Sequence, residues 1–186
     1  HPLPQQYAVM VANMRPYKGH AVALDAWEIV RETSNLTLVF VGRGPDFEEI
    51  QAKADNQGLR EHTIFCGHLP RETTHGVMAH ATMVVAPSQN EGQGLFALEA
   101  GALGRPLVCS DIPPLLDIVE NNVSALTFPP TDAIRLAQNV IQLTRNTPLQ
   151  EKLGNRLKAT VSEEFSMHRM VNRYEKIYSY TLREIF

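Results

Sequence analysis

At 186 residues the chain falls in the one-domain range and is long enough to bury a single core. It is 44% hydrophobic and 20% charged with a net charge of −3, and it carries no Lys/Arg block, which argues against nucleic-acid binding. No apolar run approaches the roughly 20 residues that span a bilayer and no signal peptide opens the chain, so a cytoplasmic setting without membrane insertion is expected.

The opening His1-Pro2-Leu3-Pro4-Gln5-Gln6 lacks an initiator Met and is punctuated by proline. Residues 1–6 therefore read as a linker or expression remnant, and the chain as a piece of something longer, with the domain spanning 7–186. Tyr7–Ala12 reads as a strand and His20–Thr33 as an amphipathic helix with Val22, Leu24, Trp27 and Val30 on its buried face. Leu36–Val41 is a second strand, and Phe47–Ala54 a helix. Thr63–Cys66, Met83–Ala86, Pro106–Ser110 and Ser124–Phe128 follow as strands, separated by helices at Arg71–His80, Leu95–Leu103 and Leu115–Asn121. Strands interleaved with helices imply a parallel sheet, because parallel neighbours need a crossover connection. The expected fold is α/β: a doubly wound, mostly parallel six-stranded Rossmann-like sheet followed by C-terminal helices. Asp132 can cap a helix over Ala133–Thr144, Pro148 can open a second, and Ser166 can cap a third over Met167–Ile185. In that last helix Met167, Met170, Val171, Tyr174, Ile177, Tyr178 and Leu182 recur at helical spacing, a stripe that packs either on its own sheet or on a further domain. Cys66 and Cys109 each end a short apolar run and read as small core residues, with no CxxC spacing for metal or redox chemistry.

In open α/β sheets ligands sit beyond the carboxyl ends of the strands, and three segments fall there. Asn13-Met14-Arg15-Pro16-Tyr17-Lys18-Gly19-His20 sets two cations and a glycine at a helix start, which suits a diphosphate as well as it suits a solvated basic turn. Pro87–Ala100 contains Gly92 and Gly94, which let backbone approach a ligand or turn sharply, and Glu99, the only charge between Glu91 and Arg105. A carboxylate on a helix of Ala, Gly and Leu needs a partner, and the hydroxyls of a ribose diol can both donate to it. The competing readings are a Glu99 that reaches solvent and a Ser88-x-x-Glu91 capping box. Gly42-Arg43-Gly44-Pro45 and Cys66-Gly67-His68-Leu69 complete the set, each by itself an ordinary turn. GxGxxG is absent after the first strand, which disfavours NAD or FAD. The histidines His20, His62, His68, His75, His80 and His168 are scattered, and Trp27 reads as core. Asp111 either reaches the cleft or caps the following turn.

From about Tyr7 to the last helix, order and spacing resemble the C-terminal domain of GT-B glycosyltransferases of the glycosyl transferases group 1 type (family 4). The most specific element is the E-x7-E pattern of Glu91 and Glu99 within Ser88-x-x-Glu91-Gly92-x-Gly94-Leu95-x-x-Leu98-Glu99-Ala100. Lys18-Gly19, Val41-Gly42-x-Gly44-Pro45, Phe65-x-Gly67 and Gly104-x-Pro106-Leu107-Val108 support it. The resemblance implies a retaining transfer of a hexose-type sugar from a nucleotide-sugar donor. Glu91, Lys18 and Arg15 would be the catalytic residues, with Glu91 facing the sugar and the two cations binding the diphosphate leaving group. Glu99 would hold the ribose, and Gly92, Gln93, Gly94 and Leu95 would contact sugar or phosphate. Gly42, Gly44, His68 and Leu69 would complete the donor site, the last two beside the base. No metal and no cofactor would be required. The acceptor would bind a missing N-terminal domain, through which any peripheral membrane contact of the parent would also come, and this domain alone would bind donor and transfer nothing.

The chain departs from the family pattern in several places. Gln93 replaces a frequent aromatic, Arg15 stands closer to Lys18 than usual, and Ile112-Pro113-Pro114-Leu115-Leu116-Asp117 replaces the usual Gly-Gly-x-x-Glu. Asn122 and Ser124 stand where glycines are common. The rival readings are another GT-B-like enzyme such as a UDP-sugar epimerase, a degenerate nucleotide-binding or interaction module, and a flavodoxin-like receiver. The receiver would want acidic residues where Asn13-Met14-Arg15 stands.

Overall fold

The computed structural model describes residues 3–185, with side chains through Ser179. Strands β1 (Tyr7–Val11), β2 (Thr37–Val41), β3 (Thr63–Phe65), β4 (Met83–Ala86), β5 (Leu107–Ser110) and β6 (Leu126–Phe128) form one sheet in the order β3-β2-β1-β4-β5-β6. Every pairing is parallel, as the β-branched runs predict. The crossovers carry α1 (His20–Val30), α2 (Phe47–Asn56), α3 (Arg71–His80), α4 (Leu95–Ala102) and the short α5 (Pro113–Leu116). Helices α6 (Ala133–Thr144), α7 (Thr147–Glu164) and α8 (Met167–Ile185) close the chain.

Because side chains alternate along a strand, the sheet has two apolar faces, each needing a cover. Met10, Leu38, Phe40, Val85 and Val108 meet Leu24 and Trp27 of α1 and Leu136 and Val140 of α6 on one face. Val9, Val39, Val84 and Cys109 meet Met78 of α3 and Ala97 and Ala100 of α4 on the other. Buried polar tips find acceptors: the Trp27 indole N–H donates to the Leu36 carbonyl at 3.0 Å and the Tyr7 hydroxyl to that of Val77 at 2.7 Å. Helix α7 joins the layers, since Leu153 belongs to the first cluster and Leu157 and Val161 to the second. Between them Gly154 lies on the turn before β5, where a Cβ would stand 2.3 Å from the Gly104 carbonyl oxygen.

Two expectations are corrected and one pair of alternatives is narrowed. The fifth helix begins at Pro113 rather than Leu115 and ends at Leu116, because proline at the first positions has no N–H to leave unpaired while Asp117–Asn121 turns back toward the sheet. The last strand starts at Leu126, since 120–125 is spent on a turn in which Asn122 takes a φ of 61° and Ser124 Oγ accepts from the Glu120 N–H at 2.9 Å. In α8 the stripe does not pack on the sheet: Met167, Met170, Val171, Tyr174, Ile177 and Tyr178 are exposed, and Leu182 lies outside the described side chains. Cys109 is buried as expected, whereas Cys66 is half-buried. The caps at Asp132 and Ser166 form, each accepting from the N–H three residues on.

Replacing a mid-helix glycine by alanine normally stabilises, by about 1 kcal/mol. At Gly154 the new methyl has no room beside the Gly104 carbonyl, so Gly154→Ala is expected to destabilise by about 1–3 kcal/mol. Urea unfolding, read as a fall in midpoint at unchanged slope, checks this.

Candidate functional site

Chain connections leave β1 toward β2 and β3, but leave β4 toward β5 and β6. The loops after β1 and β4 therefore open over one crevice, the place where doubly wound sheets hold ligands. They are the segments 12–19 and 87–94, which the motifs single out.

The two loops are fastened by backbone and by charge. Gly19 has a φ of 79°, and a Cβ there would meet the Pro87 carbonyl oxygen at 2.0 Å, so this position must be glycine for the loops to touch. The Gln89 N–H donates to the Tyr17 carbonyl at 2.7 Å. Lys18 Nζ donates to both Glu91 carboxylate oxygens at 2.7 Å, with side chains 17% and 8% exposed. Arg15 is exposed and makes no side-chain hydrogen bond or ion pair among the described residues.

Further hydrogen bonds continue the rim toward β3. The Gly42 N–H donates to the Gly67 carbonyl at 2.7 Å, and the Met14 N–H to that of Arg43 at 3.4 Å. Gly42 and Gly44 sit so close to the β1 loop that a Cβ would stand 2.0 Å from the Ala12 oxygen and 2.3 Å from the Met14 oxygen. Loop packing accounts for both glycines without a ligand. His68 is exposed and Leu69 half-buried on the next loop.

Gly94, with φ of 68°, is the N-cap of α4, and its missing side chain leaves room for Leu115 Cδ2, 2.5 Å from a built Cβ. Ser88 therefore caps no helix, and the capping-box alternative is set aside. The α4 N-terminus has no side-chain cap, so no side chain offsets its dipole there, although the Ala97 N–H finds the Gly94 carbonyl at 2.8 Å. Gly92, Gln93 and Leu95 are exposed there, and a Cβ on Gly92 would meet nothing within 4 Å. Glu99, one turn further along α4, is half-buried, and its carboxylate Oε1 lies 3.3 Å from His75 Nε2. The site thus gathers Arg15, Lys18, Glu91, Gly92, Gln93, Gly94 and Leu95, with Glu99 set back beside α3. Among the described residues no group of three or more His, Cys, Asp or Glu could hold a metal ion, and no helix is long and apolar enough to cross a membrane.

An all-parallel sheet of this order, with a charged crevice at its reversal, is the Rossmann-like half of a GT-B fold. The chain belongs to the family described as glycosyl transferases group 1, which matches residues 1–160. It is 24% identical over 180 residues to an N-acetyl-alpha-D-glucosaminyl L-malate synthase of Bacillus anthracis, covering 97% of this chain and 47% of that protein. It is 28% identical over 176 residues to an O-antigen chain mannosyltransferase C of Escherichia coli, covering 93% of this chain and 46% of that protein. The chain thus spans about half the length of the curated relatives it matches. Among solved structures, a TarM variant of S. aureus in complex with fondaparinux, alpha-GlcNAc-glycerol and UDP shares the fold, with a TM-score of 0.87 at 22% identity over 96% of this chain and 37% of that one.

Two histidines emerge that sequence reasoning passed over as scattered. His75 approaches Glu99 only because α3 and α4 lie side by side, and no spacing along the chain signals that. His20 opens α1 at 2% exposure, packs on Phe40 with ring centroids 5.6 Å apart, and has no hydrogen-bond partner on either ring nitrogen among the described residues. Burial first, and the neighbouring Lys18 charge second, push its pKa from 6.5 down to about 4. The folded state therefore refuses a proton that the unfolded chain accepts below pH 6.5. Stability from this source is complete above that pH and declines as pH falls toward about 4, by up to roughly 3 kcal/mol. Denaturant titrations at pH 7.5 and 4.5 are expected to show a smaller loss in His20→Leu than in the wild type.

Proposed function

We propose that this chain is the donor-binding half of a retaining glycosyltransferase, taking a hexose-type sugar from a nucleotide diphosphate sugar to an acceptor held by a further domain. The observation that carries the reading is the Lys18–Glu91 pair at 2.7 Å, set at the sheet reversal beside the exposed Arg15 and the start of α4, which has no side-chain cap. Departure of a nucleoside diphosphate develops negative charge on its phosphates. Lys18, held by Glu91, and the first amides of α4 supply positioned donors for that charge, and the exposed Arg15 adds a cation within reach. Glu91 presents a carboxylate to the sugar near the reacting carbon, Glu99 accepts from the ribose hydroxyls, and the 67–69 backbone lies beside the base. The donor's own phosphate assists deprotonation of the acceptor on the same face, which gives retention. Charge is balanced by side chains and amides, with no metal step. Family membership and the UDP bound by the TarM neighbour support a nucleotide-sugar donor.

Calorimetry with UDP, GDP and ADP in EDTA tests this. One nucleotide is expected to bind with equal affinity when Mg²⁺ is restored, and Glu99→Ala and Lys18→Ala are each expected to weaken it about tenfold or more. Gly92→Ala is expected to keep the melting temperature, since its Cβ meets only open space, and to weaken a nucleotide sugar more than the bare nucleotide. Absence of binding at millimolar nucleotide, both here and in the intact parent, would sink the proposal.

A further inference from the structure

Helix α4 brings Glu99 to face α3 across a cavity of about 400 Å³, lined also by Arg71, His75, Leu95 and Leu98. An ionised carboxylate has about four acceptor sites on its two oxygens. His75 Nε2, 3.3 Å away, engages Oε1, and it is the only hydrogen-bond partner of this carboxylate among the described residues. Arg71, one helical turn before His75 on the same cavity wall, makes no ion pair with it. The rest of α4 is built from Leu, Phe, Ala and Gly, so the helix itself offers nothing that fixes the side chain. A long carboxylate left to its rotamers must be ordered when a ligand arrives, and ordering it beforehand removes that cost from binding.

We propose that His75 is a positioning residue: it holds Glu99 Oε1 from α3 so that the rest of the carboxylate meets the ribose hydroxyls of a bound nucleotide. It thereby sets the preference for ribo- over 2′-deoxyribonucleotides. This rests on the reading of Glu99 as the ribose acceptor. His75 touches no nucleotide in this scheme, so its removal acts only through Glu99. A diol loses more than a single hydroxyl when the carboxylate wanders, because two donors must find their acceptors together.

The test measures dissociation constants of UDP, GDP and ADP, each beside its 2′-deoxy counterpart, for the wild-type chain, His75→Ala, His75→Gln and Glu99→Gln. The wild type is expected to favour the ribonucleotide it binds, and Glu99→Gln to abolish most of that preference. His75→Ala is expected to shrink the preference about five- to tenfold, by weakening the ribonucleotide while leaving the deoxy form nearly unchanged. His75→Gln, whose amide nitrogen can stand near the Nε2 position, is expected to restore most of it. Thermal melts of the four proteins keep a folding defect visible. If His75→Ala leaves the ribo-to-deoxy ratio intact while Glu99→Gln collapses it, the inference about His75 falls and the reading of the site stands. Equal weakening of both forms, or no rescue by His75→Gln, would likewise reduce His75 to a structural contact and overturn the inference. If the wild type shows no ribose preference, or no binding here and in the intact parent, the reading of Glu99 falls first and the inference with it.

Discussion

A parallel sheet whose strand order reverses between β1 and β4 has two loops that share one opening, and the geometry of the candidate site depends on how closely those loops meet. Left to themselves, two flexible loops would make a gap filled with water. Here a glycine with a left-handed backbone presses onto the Pro87 carbonyl, closer than any side chain permits, and a backbone hydrogen bond from Gln89 to Tyr17 holds the contact. Only with the backbones locked in this way can Lys18 bring Nζ within 2.7 Å of both oxygens of Glu91, across 73 residues of sequence. The ion pair follows from the backbone contact and adds direction to it.

The same device is repeated along the rim. Gly42 and Gly44 let the β2 loop lie against the carbonyls of Ala12 and Met14, where a Cβ would collide, and the Gly42 N–H reaches on to the Gly67 carbonyl. Backbone hydrogen bonds thus link the loops after β3, β2, β1 and β4 in one row. A row of this kind presents fixed amides and carbonyls, which cost no reorganisation when a polar ligand arrives. It also separates two meanings of glycine that a motif merges. Gly42, Gly44 and Gly19 serve close packing, whereas Gly92 has nothing near it and leaves the crevice open.

Most of the fold was readable because strands buried on both faces are continuous apolar runs, and residues such as Val39, Val84 and Val108 announce themselves in any order. The two crevice loops were readable because a charge or glycine after a strand has few other reasons to recur in that order. What escaped depends on tertiary neighbours. His75 meets Glu99 through helix packing, His20 is buried by Phe40 and the α1 start, and neither fact has a local signature. The α8 stripe was visible as a period, but period tells only that a face is apolar, and the sheet already had its cover in α1, α3, α4 and α6. Boundaries near Pro113 shifted because Pro113 and Pro114 serve as the first turn of the helix instead of preceding it.

The charges in the crevice are distributed unevenly, and on the proposed reading the unevenness matters. Lys18 is matched by Glu91 in full, so the pair contributes little net field at a distance. The positive field that would draw a diphosphate comes instead from the exposed Arg15 and from the α4 N-terminus, whose amides lack a side-chain cap. His20, directly after Lys18 and Gly19, adds nothing, because burial keeps its ring neutral at pH 7. A third cation at this spot would hold the nucleoside diphosphate product more tightly and slow its release. A neutral buried histidine under a paired lysine leaves the field moderate, and leaves Glu91 and Lys18 able to exchange each other for sugar hydroxyl and phosphate as a donor enters.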